Sequence, residues 1–330
     1  MKRTQHTRPA PPPGSTVRAL IDRAHARLAR APLAYGHGIL NAWDEAVYLV
    51  LHALKLPPDQ LTPYLDQTVG AKDCARALAL VAERIRRRIP AAYLTREAWL
   101  GDYRFYVDER VIVPRSYIAE LLRERLTPWL PPRRRIRRAL DLCTGSGCLA
   151  ILLAAKFPAA RVDGVDIDRR ALAVARRNVA SYRMNARINL VRSDMFSALA
   201  GARYDLIIAN PPYVSADTMR KLPREYLHEP AIALASGRDG LDAVRVILRE
   251  AAGHLNDNGL LIVEVGHHRR RVEKAFPHHP FVWPQTSGGD DCVFILERGD
   301  LVRAAPRPAD QPPAPARRLA SRANAASLRR

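Results

Sequence analysis

Ala139-Leu140-Asp141-Leu142-Cys143-Thr144-Gly145-Ser146-Gly147-Cys148-Leu149-Ala150 is the stretch on which the fold turns. Ala139–Cys143 reads as a short buried strand. It runs into the glycine turn Thr144–Gly147 and then a helical stretch, Cys148–Lys156. Glycines at a strand-to-helix turn let a cofactor approach the backbone closely. A second short apolar run, Arg161–Val165, ends at Asp166, where a carboxylate about 20 residues past the glycines accepts hydrogen bonds from ribose hydroxyls. Gly145-Ser146-Gly147-Cys148-Leu149-Ala150 also fits the dinucleotide pattern, so a nicotinamide or flavin enzyme remains a second reading. Asp141 counts against it, because a carboxylate four residues before Gly145 crowds a pyrophosphate with negative charge. A cationic sulfonium cofactor with an amino-acid end suits Asp141 better.

Outward from this unit, strands and helices alternate. Strands are expected at 139–143, 162–166, 188–194, 204–209 and 259–265, with helices near 148–156, 169–180 and 241–254, the pattern of a doubly wound α/β sheet. Phe281-Val282-Trp283 and Cys292–Leu296, separated by Gly288-Gly289-Asp290-Asp291, predict a terminal hairpin. Upstream, helical apolar spacing from Thr16 to about Ile89 is broken by Pro57, Pro58 and Pro63 into a small bundle. Trp99–Arg115 alternates as a β-hairpin, and Ser116–Leu126 reads as a helix. The chain thus divides into a basic, Pro-rich, disordered 1–14, a helical domain 15–95, a linking hairpin 96–115, a catalytic α/β domain 116–300 and a disordered basic tail 301–330.

After the apolar run Tyr204–Ala209 comes Asn210-Pro211-Pro212-Tyr213. One reading is a Pro-rich turn that ends a strand. The other is a device for methylating a planar nitrogen whose lone pair is delocalised. The Asn210 side-chain oxygen and the Pro211 carbonyl each accept one hydrogen of an NH2 group, which aims the nitrogen, while the Tyr213 ring lies on its flat face. Neither proline donates an N–H, and their fixed φ stiffens the loop.

With the glycine turn, Asp166 and this loop in order, the segment Asp141–Tyr213 resembles the class I S-adenosyl-L-methionine-dependent methyltransferases, and within them the HemK-like protein-glutamine methyltransferases. Val113-Pro114-Arg115, His228-Glu229-Pro230 and Asp239-Gly240-Leu241 extend the likeness to roughly residues 15–298. Tyr35-Gly36-His37-Gly38, Trp43-Asp44-Glu45-Ala46-Val47 and Arg88–Thr95 resemble the branch that acts on large-subunit ribosomal protein three rather than on release factors. The resemblance implies a Rossmann-like seven-stranded mixed sheet, a helical N-terminal domain that recognises substrate, and S-adenosyl-L-methionine as cofactor. It places Asp141, Cys143, Thr144, Gly145, Ser146, Gly147, Asp166, Asp194, Met195 and Asn210 at the donor. Asn210, Pro211, Pro212, Tyr213 and Arg115 fall at the substrate, with Asn210, Pro211 and Tyr213 catalytic. Two positions depart from the family: Cys143 stands where Gly is common, and Met195 where an aromatic residue is common. Glutamine methylation of release factors and exocyclic-amine methylation of DNA or RNA remain alternatives, the latter because it uses similar Asn-Pro-Pro-Tyr loops.

Composition bounds these readings. The 330 residues carry 53 Lys+Arg against 33 Asp+Glu, a net charge of +20 that suits a protein substrate bound to assembling ribosomal RNA. Arginine dominates and alanine is abundant throughout, which dilutes that argument, and the run Arg133–Arg138 reads as a solvated linker. Cys74, Cys143, Cys148 and Cys292 form no CxxC pair and have no His at metal-motif spacing, so a reducing compartment and no metal are expected. His267-His268 and His278-His279 read as solvated, and Trp43 as core. No apolar run is long enough to span a bilayer, so no membrane partner is expected. A bacterial cytoplasmic location follows, with a mitochondrial presequence at 1–14 as the minor alternative. Oligomeric state leaves no mark in the sequence.

Overall fold

The computed structural model describes residues 15–304; the expectations for 1–14 and 305–330 fall outside the described residues. The first helices form a small bundle. β1 (Ser15–Thr16) leads into α1 (Val17–Ala29), where the Thr16 hydroxyl accepts from the Ala19 N–H at 3.3 Å. The Asn41 side chain caps α2 (Ala42–Leu54) by accepting from the Asp44 N–H at 2.9 Å. β2 (Thr68–Val69) pairs antiparallel with β1 and precedes α3 (Ala71–Arg87) and the short α4 (Ala91–Thr95). Val17, Leu20, Leu49, Val50, Ala77 and Val81 close a core separate from that of the sheet. Trp43 is not part of it: 40% exposed, it meets the His25 ring edge-on at the surface.

β3 (Glu97–Leu100) and β4 (Tyr103–Tyr106) make the antiparallel hairpin. α5 (Ile118–Arg123), shorter than the expected 116–126, brings the chain to the sheet. There follow β5 (Arg138–Leu142), α6 (Cys148–Lys156), β6 (Arg161–Asp166), α7 (Arg169–Ser181), β7 (Ile188–Arg192) and β8 (Tyr204–Ala209). Then come α8 (Ala216–Met219), α9 (Asp242–His254), β9 (Leu255–Glu264), α10 (Arg269–Ala275), β10 (Val293–Glu297) and α11 (Arg298–Ala304). β7 ends two residues before the expected 194, and β9 begins directly at the end of α9. Residues 301–304 belong to α11 rather than to a disordered tail, because Leu301 is buried against the sheet's second core.

The strand order is β10-β9-β8-β5-β6-β7, parallel except for the antiparallel β10. Along β9, Leu260 and Ile262 face one core while Leu261 and Val263 face the other, the period of two that puts helices on both sides. A seventh strand is reduced to a bridge beside β10, where Val282 and Ile295 exchange N–H···O bonds of 3.1 and 2.8 Å. Pro280 and Pro284 flank it and cannot extend the ladder. β5 has β6 on one side and β8 on the other, so the order reverses there and a crevice opens at the strands' carboxyl ends. Among the described residues no helix is long and apolar enough to cross a membrane.

Candidate active site

The glycine turn is held from behind. Asp141, 1% exposed, accepts from the Thr144 hydroxyl at 2.5 Å and the Ala150 N–H at 2.9 Å through one carboxylate oxygen. Its other oxygen is buried without a partner, and burial pushes the carboxyl up to about 7. Gly147 has φ +79° and sits where a Cβ would lie 3.1 Å from the Ala175 Cβ, which ties α6 to α7. The Ser146 carbonyl accepts from the Asn178 amide at 2.9 Å. Asp141, Thr144, Ser146 and Gly147 therefore shape the turn from behind the cavity wall, and only Cys143 and Gly145 of the turn line it.

That cavity, about 330 Å³, lies at the carboxyl ends of β5, β6, β7 and β8. Asp166 lines it, accepting from the Gly145 N–H and the Asp168 N–H at 2.9 Å each, with burial raising its pKa. Asp168, Asp194 and Asp242 also line it, alongside Arg110 and the apolar Val111, Ile112, Val165 and Val246. This abundance of carboxylates suits ribose hydroxyls and a cationic sulfonium and ammonium; it opposes the pyrophosphate of a nicotinamide or flavin dinucleotide. A Cβ on Gly145, at φ +53°, would meet nothing within 4 Å, so the turn leaves room for a group to lie on the backbone. The chain's residues thus fit S-adenosyl-L-methionine.

Cys143 and Met195 share an unusual property on this wall. Both are non-glycine residues in the left-handed region, at φ +63° and +47°, and their sulfurs lie 3.9 Å apart. The left-handed φ is the physical reason that glycine suits position 143. The Cys143 thiol is held well above its ordinary pKa by burial and by Asp166, Asp141 and Asp194, so it is a packing group. Asp194 follows β7 on an exposed turn.

Asn210 stands at the junction of two spaces. It lines the large cavity with Pro212, and a neighbouring pocket of about 20 Å³ with Arg115, Pro211 and Tyr213. Gly266 packs against the Tyr213 ring, while a His268 ring nitrogen is 3.1 Å from the Tyr213 carbonyl. Burial raises the Tyr213 hydroxyl pKa, so it stays protonated at neutral pH. Arg115 gives a two-pronged fork to Glu229 at 2.5 and 2.6 Å, and burial is outweighed by that carboxylate in keeping the guanidinium charged. Glu229 also accepts from the Val113 N–H at 3.0 Å and lies 3.7 Å from the His37 ring nitrogen. His37 is itself buried, and burial lowers its pKa to about 4.

Three contributors carry no motif of their own in the sequence. Asn178 lies on the apolar stripe of α7 with Ala171, Val174 and Ala175. Its amide bonds both backbone groups of Tyr106 and the Ser146 carbonyl, fastening hairpin and glycine turn to one helix. A lone Asn at an i+3/i+4 core position is the signal that marks it. Glu229 lies in the segment His228-Glu229-Pro230, but its partners Arg115, Val113 and His37 come from distant positions. Asp242, at the start of α9, sits so close to Gly237 that a Cβ there would be 1.9 Å from its carboxylate.

A family model described as the methyltransferase small domain matches residues 120–239. The ribosomal protein uL3 glutamine methyltransferase of Bordetella pertussis is 54% identical over 286 residues, covering 87% of this chain and 96% of that protein. The protein of the same name from Neisseria gonorrhoeae is 52% identical over 288 residues, covering 87% and 96%. That from Burkholderia pseudomallei is 50% identical over 303 residues, covering 90% and 99%.

Proposed function

This chain belongs to the family of ribosomal protein uL3 glutamine methyltransferases, and from that premise we propose that it methylates a glutamine side-chain amide nitrogen of uL3, the third large-subunit ribosomal protein. The observation that carries the assignment of roles is the position of Asn210, which borders both the large cavity and the small pocket. Gly145, Asp166, Asp194 and Met195 hold S-adenosyl-L-methionine, which supplies an electrophilic methyl group when bound. Asp141, Thr144, Ser146 and Gly147 keep the turn in shape behind it.

The glutamine side chain enters by way of Arg115, Pro211 and Tyr213. The Asn210 side-chain oxygen and the Pro211 carbonyl each accept one amide hydrogen, which turns the nitrogen toward the large cavity and draws electron density onto it. Tyr213 confines the amide plane, and Pro212 stiffens the loop. For well-oriented reacting pairs, proximity can account for ~7–11 kcal/mol of a barrier. A strong base is not needed, since the amide nitrogen that has taken the methyl group still carries both hydrogens and a positive charge. In that cationic form it passes one proton readily to water to leave the neutral N-methyl amide.

The net charge of +20 supports encounter with uL3 in the company of ribosomal RNA. The test offers labelled S-adenosyl-L-methionine with uL3, a release factor and bulk RNA in separate reactions, each repeated with Asn210→Ala. Label on a glutamine of uL3 that disappears in the variant is the expected result. Label on the release factor or RNA instead would overturn the substrate assignment, and an undiminished rate in Asn210→Ala would overturn the role of that residue.

A further inference from the structure

Past β9 the chain turns through Gly266-His267-His268, and β10 is entered through Asp291-Cys292. The antiparallel pairing continues one step beyond the named strands, with the Val265 N–H donating to the Cys292 carbonyl at 2.8 Å. It thereby brings together side chains far apart in sequence. His267 Nδ1 lies 3.0 Å from Asp291 Oδ1 and 3.5 Å from Cys292 Sγ, and that sulfur is 3.3 Å from the same Asp291 oxygen. Zinc bonds of about 2.0–2.3 Å in a tetrahedral arrangement place nitrogen, oxygen and sulfur ligands about 3.3–3.6 Å from one another. The triangle is therefore already close to ligand spacing, with no rearrangement of backbone.

A hydrogen-bonded cluster alone would account for the contacts, but the composition and access of the triangle go further. It combines imidazole, thiol and carboxylate, the donor set that zinc takes. Cys292 is sealed within the fold, whereas the His267 side chain is 65% exposed, so an ion can reach the donors from solvent and keep a water as its fourth ligand. The nearby Arg269 does not bar a cation, since Glu273 and Asp290 already take its guanidinium at 3.0 and 2.8 Å. We propose that His267, Asp291 and Cys292 form a binding site for a borderline-soft divalent cation of the zinc type. On binding, the Cys292 S–H bond breaks and its proton passes to solvent as the metal–sulfur bond forms. His267 ligates as the neutral imidazole with its proton on Nε2, and one proton leaves per ion. The ion clamps the turn that backs Tyr213, through Gly266 against its ring and His268 at its carbonyl.

The test uses the full-length protein stripped by a chelator and titrated with Co2+, then with Zn2+ in competition. The expected result is one cobalt per chain, a thiolate-to-cobalt charge-transfer band, and release of one proton per ion. The band disappears in Cys292→Ser and in His267→Ala. Because the His267 ring is exposed, His267→Ala keeps the fold and the metal-free methyl transfer, and so separates ligand loss from the packing disturbance that Cys292→Ser brings. Absence of the band in the unaltered protein would overturn the site. So would its persistence in Cys292→Ser, which would place the ion on Cys74, Cys143 or Cys148, and undiminished cobalt affinity in His267→Ala, which would show that the imidazole is not a ligand.

Discussion

The guanidinium of Arg84, on α3 of the helical bundle, donates to the carboxylate of Glu225, in the segment beyond the Asn210 loop, at 3.2 Å, with both side chains sealed from solvent. Arg84 also donates to Glu45 at 2.7 Å and to the Ala34 carbonyl at 3.0 Å. Glu225 takes further hydrogen bonds from Arg88 at 3.0 Å and from the Ala34 N–H at 3.1 Å. Burial alone would push the Glu225 carboxyl up, but these donors outweigh it and hold the pKa below its ordinary value. Four residues on, Glu229 grips Arg115 at the small pocket. The segment is therefore pinned at one end to the bundle and at the other to the substrate pocket.

Removing the shared carboxylate leaves two guanidinium groups partly or wholly desolvated. Glu225→Ala is expected to lower the unfolding free energy by roughly 3–5 kcal/mol, measured by urea denaturation. Adding Arg84→Met should not recover the loss, since it leaves the buried Glu45 carboxylate without the guanidinium that holds it. A loss under about 1 kcal/mol would mean that the contact is not formed in solution.

Glu229→Gln tests the other end. The neutral amide cannot hold both prongs of Arg115 as a carboxylate does, so the pocket beside Tyr213 loosens while the large cavity keeps its lining. KM for uL3 should rise roughly tenfold, about 1.4 kcal/mol, with the dissociation constant for S-adenosyl-L-methionine little changed. Equal weakening of both would show that the Arg115–Glu229 pair supports the whole site.

How much of this was legible in the residues follows from the range of the interactions. Ala139–Ala150, the alternation of strands and the Asn210 loop are local patterns, and each lies where its spacing placed it. The left-handed φ of Cys143 was foreshadowed by a position where glycine is common. What did not show was tertiary. Nothing near Asp141 in sequence says that its carboxylate turns inward to Thr144 and Ala150 rather than lining the cavity. Arg84 and Glu225 are 141 residues apart, and an arginine at a helix's end reads as solvated until its partner is known. His268 and His279 likewise read as surface groups; the first packs against Tyr213, and the second has a buried ring nitrogen. Trp43 failed in the opposite sense, since a large aromatic on an amphipathic helix reads as core whether or not another element covers it.

Glu264 supplies a pH dependence. It is 1% exposed and accepts from the Ser116 hydroxyl at 2.6 Å and the Tyr117 N–H at 2.9 Å, yet burial prevails and pushes it up to about 7. Its folded pKa lies above the unfolded value, so between roughly pH 4.5 and 7 the unfolded chain has released a proton that the native state keeps. Its contribution is full below that window and falls by about 1.4 kcal/mol per pH unit as pH rises through it. Glu264→Gln removes this slope. The difference in unfolding free energy between variant and unaltered protein should shift toward the variant from pH 5 to pH 7, and a difference independent of pH would show that Glu264 ionises normally.

Gly266→Ala separates the substrate pocket from the donor cavity without touching either directly. Gly266 has φ +56°, and a Cβ there would lie 2.9 Å from one Tyr213 ring carbon and 3.3 Å from two others. The ring cannot yield backward, because the methyl group would come from a backbone held in register by the Val265–Cys292 hydrogen bond. It must tilt into the small pocket, where it meets the space beside Asn210 and Pro211. A glutamine amide then loses its flat wall, while Gly145, Asp166 and Asp194 are undisturbed. The expected outcome is a fall of ~10²-fold in kcat/KM for uL3, of the size that misplacement by about an ångström produces, with S-adenosyl-L-methionine binding kept. Unchanged turnover in a folded Gly266→Ala protein would show that Tyr213 does not confine the amide, and its part in the mechanism would have to be withdrawn.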